Sequence, residues 1–141
     1  MPVAGLEKLN VLIADDTDSI RNITRSILRD MGFRDVVTAN DGADAFKYLE
    51  TRQFHLVIAD WDMPGKNGLE LLFATKELPD EQRPAAFIMM TGTTERKKVL
   101  QAIKSGVHDY LAKPFSPDIL EQKVLAVLRR VELIADSSDA Q

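Results

Sequence analysis

Five short apolar runs punctuate the chain, at residues 11–14, 36–39, 56–59, 87–90 and, more briefly, 110–112. Each run is apolar at successive positions rather than alternate ones, the pattern of strands in a parallel sheet covered by helices on both faces. Between the runs the period changes to that of a helix. Ile20, Ile23, Ile27, Leu28 and Met31 form one apolar stripe, with Asp18 or Ser19 as N-cap and Gly32 as the stop. Ala45, Phe46 and Leu49 mark a second helix after Asp41-Gly42. Leu69, Leu72 and Leu78 mark a third, beginning near Asn67-Gly68 and ending by Pro79. Val99, Leu100 and Ile103 mark a fourth that stops at Gly106. A fifth has Pro117 in its first turn and Leu120, Val124, Val127, Leu128 and Val131 on one face. Strand and helix alternate five times, which predicts an α/β domain with a parallel sheet and right-handed crossovers.

Composition narrows the class. The 141 residues are 45% hydrophobic and 28% charged, the balance of one globular domain, and the formal charge is −4. An acidic chain lacks the basic footprint that nucleic-acid binding and polybasic membrane anchoring need. There is no cysteine, which removes disulfides, thiolate metal sites and thiol nucleophiles. The longest apolar run, residues 85–90, is far short of the ~20 residues of a membrane span. The N-terminus has neither the basic flank nor the apolar stretch of a secretion signal, so the expected compartment is the cytoplasm. The small, polar residues 135–141 are expected to fray.

Chemistry is concentrated at the carboxyl ends of the predicted strands. The first ends in Asp15-Asp16, the third in Asp60, the fourth in Thr91 and the fifth in Lys113-Pro114. In an open doubly wound sheet these ends share one edge, where ligands bind at the reversal of strand order. Three carboxylates brought together repel one another unless a cation holds them charged, and a hard divalent cation such as Mg²⁺ takes oxygen ligands of this kind. A lysine and a hydroxyl beside them suit the oxygens of a transferred phosphoryl group. The chemistry indicated is an aspartyl phosphate. Taken singly, each residue reads differently: Asp15-Asp16 as a capping pair at a turn, Thr91 as an ordinary β-branched strand end, Lys113 as a solvated lysine. His55 reads as a turn cap, His108 as a loop residue with a small prospect of a partner contact, and Met89-Met90 as core filler. Trp61 reads as a half-buried neighbour of the site, and Met63-Pro64 and Gly68 as shaping the turn into the third helix.

Together these residues resemble the CheY-like receiver domains of bacterial two-component response regulators. The resemblance rests on Asp15-Asp16, on the stretch 40–45, on Asp60-Trp61-Asp62-Met63-Pro64 followed by Asn67-Gly68, on Thr91-Gly92, and on residues 106–115 ending in Lys113-Pro114-Phe115. It covers residues 9–131 as the receiver domain, leaving 1–8 as an N-terminal extension and 132–141 as a flexible tail. It implies a flavodoxin-like (βα)5 fold with strand order 2-1-3-4-5. Asp60 would be the phosphoacceptor, attacking a phosphohistidine on a sensor histidine kinase or a small phosphodonor. Asp16 and Asp60 would bind Mg²⁺ directly, Asp15 through water, and the backbone carbonyl of Asp62 would complete the protein ligands. Lys113 would pair with Asp60 and then with the phosphoryl group, Thr91 would turn its hydroxyl onto it, and Tyr110 would follow Thr91 inward. The implied output is docking of a downstream target, such as a flagellar motor switch or another signalling complex, on the face of the fourth helix, fifth strand and fifth helix. A phosphatase is a further implied partner. Lys113-Pro114 would be cis.

Two positions depart from the common pattern: Asp62 adds a carboxylate two residues after Asp60, and Gly92 replaces the more usual alanine. The basic stretch Thr94-Glu95-Arg96-Lys97-Lys98 places cations against the macrodipole of the fourth helix, an arrangement that would attract an acidic partner docking beside Tyr110. Asp60-Trp61-Asp62 also resembles the DxD of haloacid-dehalogenase-type phosphohydrolases, which would make Asp60 a hydrolytic nucleophile. Those enzymes open with DxD and finish with the acidic pair, the reverse of the order here. A flavodoxin-like cofactor binder would need a Ser/Thr/Gly-rich loop after the first strand, where Asp15-Asp16-Thr17-Asp18 stands instead.

Overall fold

In a computed structural model of the protein, the described residues are 4–92 and 96–135, with residues 96, 98 and 99 described in their backbone only. Five parallel strands, β1 (Asn10–Ala14), β2 (Asp35–Ala39), β3 (Leu56–Asp60), β4 (Ala86–Thr91) and β5 (Asp109–Ala112), form one sheet in the order β2-β1-β3-β4-β5. The helices are α1 (Asp18–Met31), α2 (Gly42–Thr51), α3 (Gly68–Lys76), α4 (Arg96–Lys104) and α5 (Pro117–Arg130). Short 3-10 turns sit at Leu6–Lys8 and Asp80–Gln82.

The period-two geometry of a strand divides the core into two layers. Val11, Ile13, Leu56, Ile58, Ile88 and Met90 face α1 and α5, whose Ile27, Leu28, Met31, Leu120, Val124 and Leu128 cover them. Leu12, Ala14, Val57, Ala59, Phe87 and Met89 face the other way, under Ala45 and Leu49 of α2, Leu71 and Leu72 of α3, and Ala102 of α4. Leu6 and Leu9 close the first layer at the start of β1, and Leu133 and Ile134 pack against it after α5.

Helix starts follow local chemistry. The Asp41 carboxylate accepts the Asp44 N–H at 2.8 Å, Asn67 and Glu70 form a reciprocal capping box, and Ser116 caps α5 with Pro117 in its first turn. α1 differs from expectation. Its N-cap position is Thr17, with Asp18 and Ser19 already helical, because the Thr17 N–H is held by Asp15 Oδ1 at 2.9 Å. Its buried stripe runs through Thr24 instead of Ile23, which is 52% exposed. The Thr24 hydroxyl donates to the Ile20 carbonyl at 2.7 Å, so this polar residue enters the core satisfied. α4 is likewise rotated from its expected orientation: Leu100 and Ile103 lie outward while the small Ala102 meets the sheet. The third helix ends at Lys76, and Leu78 is buried beyond it. No helix of the described residues is long and apolar enough to cross a membrane.

Candidate functional site

Strand register assembles the site. Ala14 pairs with Ala59, so Asp15 and Asp60, the next residues of β1 and β3, stand side by side where the strand order reverses. Asp60 pairs with Met90, which brings Thr91 one position further along β4, and Thr91 pairs with Ala112, which brings Lys113 after it. The Lys113 N–H donates to the Thr91 carbonyl at 2.8 Å, fastening the end of β5. The Lys113-Pro114 peptide is cis. Asp15, Asp16, Asp60, Thr91 and Lys113 therefore share one edge of the sheet.

The side chains converge there. Lys113 Nζ lies 2.6 Å from Asp15 Oδ2 and 3.0 Å from Asp60 Oδ2. Asp15 is fully buried, and its other oxygen is taken by the Thr17 N–H. Asp60 is 6% exposed, Asp16 is exposed, and one carboxylate oxygen from each of the three aspartates lies within 4.8 Å of the others. Burial pushes the Asp60 pKa above its ordinary value. The Lys113 ammonium opposes that, Asp15 reinforces it, and the Asp62 N–H, donating to the carboxylate, lowers it again. Burial also acts against the charge on Lys113, but hydrogen bonds and attraction from Asp15 and Asp60 outweigh it and raise the lysine pKa. For the pair, the direction that follows is a protonated lysine shared by two carboxylates. One ammonium cannot neutralise three acids. The surplus negative charge and the all-oxygen donor set fit a hard divalent cation of the Mg²⁺ class. A shallow cleft of about 350 Å³ lined by Asp16, Asp62, Met63, Pro64 and Asn67 opens beside Asp16.

Thr91 is buried at the end of β4. Tyr110 is half-buried on β5, with the Lys123 ammonium 4.9 Å over its ring, and Lys123 also donates to Asp109 at 3.2 Å. Asp62 has an exposed side chain. Trp61 is buried in the layer under α3, more deeply than a half-buried neighbour. His55 and His108 lie at the opposite edge, where their Nδ1 atoms accept the Asn10 and Phe87 N–H groups at 2.9 and 3.0 Å. In the basic stretch, Thr94 and Glu95 lie outside the described residues, as do the side chains of Arg96 and Lys98, while Lys97 is exposed.

One supporting residue, Arg21, escaped the sequence reading, and two glycines that it did single out, Gly42 and Gly68, have a packing role it did not assign. Arg21 donates to the Asp15 carbonyl at 2.7 Å and pairs with Asp18, pinning the acidic loop to the first turn of α1. The signal was its place three residues after Asp18, on the same face. Gly42 and Gly68 permit backbone contacts that a side chain would block. A Cβ on Gly42 would lie 1.9 Å from the Lys66 carbonyl oxygen, and one on Gly68 would lie 2.4 Å from that of Asp60.

Residues 11–125 match the family described as the response regulator receiver domain. The chain belongs to that family. It is 34% identical over 124 residues to the chemotaxis protein CheY of Pseudomonas aeruginosa, covering 87% of this chain and 98% of that one. It is 32% identical over 125 residues to the chemotaxis protein CheY-3 of Vibrio cholerae, covering 89% and 95%. Among solved structures it resembles the chemotaxis response regulator CheY4 of Vibrio cholerae, with a TM-score of 0.78 at 31% identity over 85% of this chain and 98% of that one. The fold is the CheY-like flavodoxin fold, and two-component signalling is the setting of the family.

Proposed function

We propose that this receiver, functionally residues 9–131, is a phosphorylation-activated switch in which Asp60 accepts a phosphoryl group from a sensor histidine kinase. The observation that carries the reading is the Asp60 carboxylate at the end of β3, 3.0 Å from Lys113 and clustered with Asp15 and Asp16. A carboxylate oxygen of Asp60 attacks the phosphorus of phosphohistidine. The P–O bond forms as the P–N bond breaks, and the imidazole leaves with the electron pair. When bound, Mg²⁺ supplies charge neutralisation for the phosphoryl oxygens; Asp16 and Asp60 would hold it directly, Asp15 through water, and Asp62 by its backbone carbonyl. Lys113 already carries its proton and passes from the Asp60 oxygen to a phosphoryl oxygen. The Thr91 hydroxyl donates to another. Tyr110 then turns inward after Thr91, which changes the surface of α4, β5 and α5, the two helices that pack on β5. That surface docks a downstream target, a flagellar motor switch or another signalling complex, in the cytoplasm, and a phosphatase resets Asp60.

Incubation with acetyl phosphate and Mg²⁺, read as intact mass, tests the assignment. The expected outcome is a gain of one phosphoryl group, lost with a chelator and absent in Asp60→Asn. A gain that persists in Asp60→Asn would falsify the assignment.

A further inference from the structure

Between α3 and α4 lies an open groove of about 550 Å³, floored by Phe73 and Leu100 and flanked by Lys76, Lys97, Gln101 and Lys104. Among the described residues, five large apolar side chains are exposed, and three of them belong to these two helices: Phe73 at 48%, Leu100 at 45% and Ile103 at 53%. Scattered singly they would need no explanation, but Phe73 and Leu100 converge on one concavity, which marks a binding surface, while Ile103 lies off its lining. The charge around them has one sign. Among the described residues no carboxylate lines the groove, and none of the three lysines is ion-paired with one. A chain of net charge −4 thus gathers three cations around an apolar floor.

The cations are spread along the groove. Lys97 and Lys104 lie on one face of α4, about 10 Å apart along its axis at the rise of a helix. Lys76 reaches across from α3: its ammonium donates to the Ser105 carbonyl and lies 5.6 Å from the centre of the Phe73 ring. Each helix is about 13 Å long, which suits two to three turns of a partner helix. A nucleic-acid backbone or an anionic membrane would use the lysines but has no use for a concave apolar floor between them.

We propose that the α3–α4 groove is a docking surface for an acidic amphipathic segment of a partner protein. Large apolar side chains of the segment seat on Phe73 and Leu100, and its carboxylates face Lys76, Lys97 and Lys104. The groove uses the flank of α4 that faces α3, so it is separate from the α4–β5–α5 face, and it does not require phosphorylation of Asp60. Selection of short random peptides displayed on phage, followed by anisotropy titration of the enriched peptides as labelled synthetic probes, tests the proposal. The proteins compared are the wild type, Phe73→Ser, Leu100→Ser, the double reversal Lys97→Glu/Lys104→Glu, and Ile23→Ser, which removes an exposed apolar side chain on α1. All five changed side chains are exposed, and circular dichroism checks each fold. Enriched peptides are expected to combine Asp or Glu with large apolar residues, to bind wild type and Ile23→Ser equally, and to bind the other three variants roughly tenfold or more weakly, with affinity falling as salt rises. Enrichment without that pattern, or equal affinity in the groove variants, would overturn the proposal. So would single-stranded DNA or phosphatidylglycerol vesicles binding more tightly than any peptide and losing that binding on the same charge reversal.

Discussion

Lys113 is one ammonium between two buried carboxylates, and Asp15 has the better of it: full burial, the shorter contact at 2.6 Å and a backbone N–H on its second oxygen. Asp60 is left desolvated beside a second acid, and its pKa is raised by burial above the 3.8 of an ordinary aspartate. A raised carboxylate pKa means that the folded state binds the proton more readily than the unfolded chain. Ionised Asp60 therefore costs stability at neutral pH, and that cost is relieved as pH falls through its folded pKa. Removing the charge should relieve it outright. Asp60→Asn is expected to be more stable than wild type by about 1 kcal/mol in metal-free buffer, the scale on which a functional site is commonly relieved, and urea unfolding at neutral pH measures it. A less stable variant would mean that the Lys113–Asp60 pair outweighs the burial of the acid. At this scale the sequence was readable where a residue type is unusual at a strand end, as with Asp15, Asp16, Asp60 and Lys113. Arg21 was only half readable: its place three residues after Asp18 signals the ion pair, but no side-chain pattern encodes its hydrogen bond to the Asp15 main-chain carbonyl.

Helix positions were legible and helix rotations were not. Apolar periodicity located α1 and α4, yet Ile23, Leu100 and Ile103 turned out exposed while Thr24 and Ala102 are buried. The period identifies a helix, but the side that meets the sheet depends on how closely its small or internally satisfied residues let it approach. The start of α3 shows the same limit. Gly68 reads as a turn residue, whereas its place in the structure is set by packing: its N–H donates to the Trp61 carbonyl at 3.0 Å, and a Cβ would lie 2.4 Å from the Asp60 oxygen and 2.6 Å from Met89 Sδ. Helix propensity alone would make Gly68→Ala stabilising by up to about 1 kcal/mol. The close backbone approach predicts the opposite, a loss of about 1–3 kcal/mol, with Asp60 displaced and its phosphorylation by acetyl phosphate slowed several-fold. Denaturant unfolding and the rate of mass gain read the two effects, and a variant stabilised with an unchanged rate would show that α3 moves aside freely.

Across the whole molecule the sheet has two chemically different edges. Alternating strands and helices made the parallel sheet legible, and the right-handed crossover rule limited its topologies, but the order 2-1-3-4-5 came from the resemblance of Asp15-Asp16, Asp60 and Lys113 to a family rather than from periodicity. At the edge opposite the acidic site, reading His55 as a turn cap and His108 as a loop residue left out the strand ties they make, since a lone histidine before a strand carries no pattern for them. There His55 and His108 act alike. His55 donates its N–H to the Asn10 carbonyl and accepts the Asn10 N–H on Nδ1, tying β3 to β1; His108 makes the same reciprocal pair with Phe87, tying β5 to β4. Nδ1 can accept only while it is unprotonated. Burial lowers both pKa values below the ordinary 6.5; Arg130, which also donates to the His108 carbonyl, lowers that of His108 further, and a hydrogen bond with the Phe87 main chain opposes this without reversing the direction. With folded pKa values depressed, the unfolded chain takes up these protons first, so the stability they confer is complete above pH 6.5 and declines as pH falls through the folded values. Asp60 has the opposite sign in acid, and an Asp60→Asn background removes it. In that background, urea unfolding at about pH 7.5 and about pH 5.5, above the range of ordinary carboxylates, should show a clear loss of stability at the lower pH. His55→Asn/His108→Asn keeps a side-chain oxygen that can accept the same N–H groups without titrating, and should lose markedly less. Equal losses in the two proteins would place the acid sensitivity elsewhere in the fold.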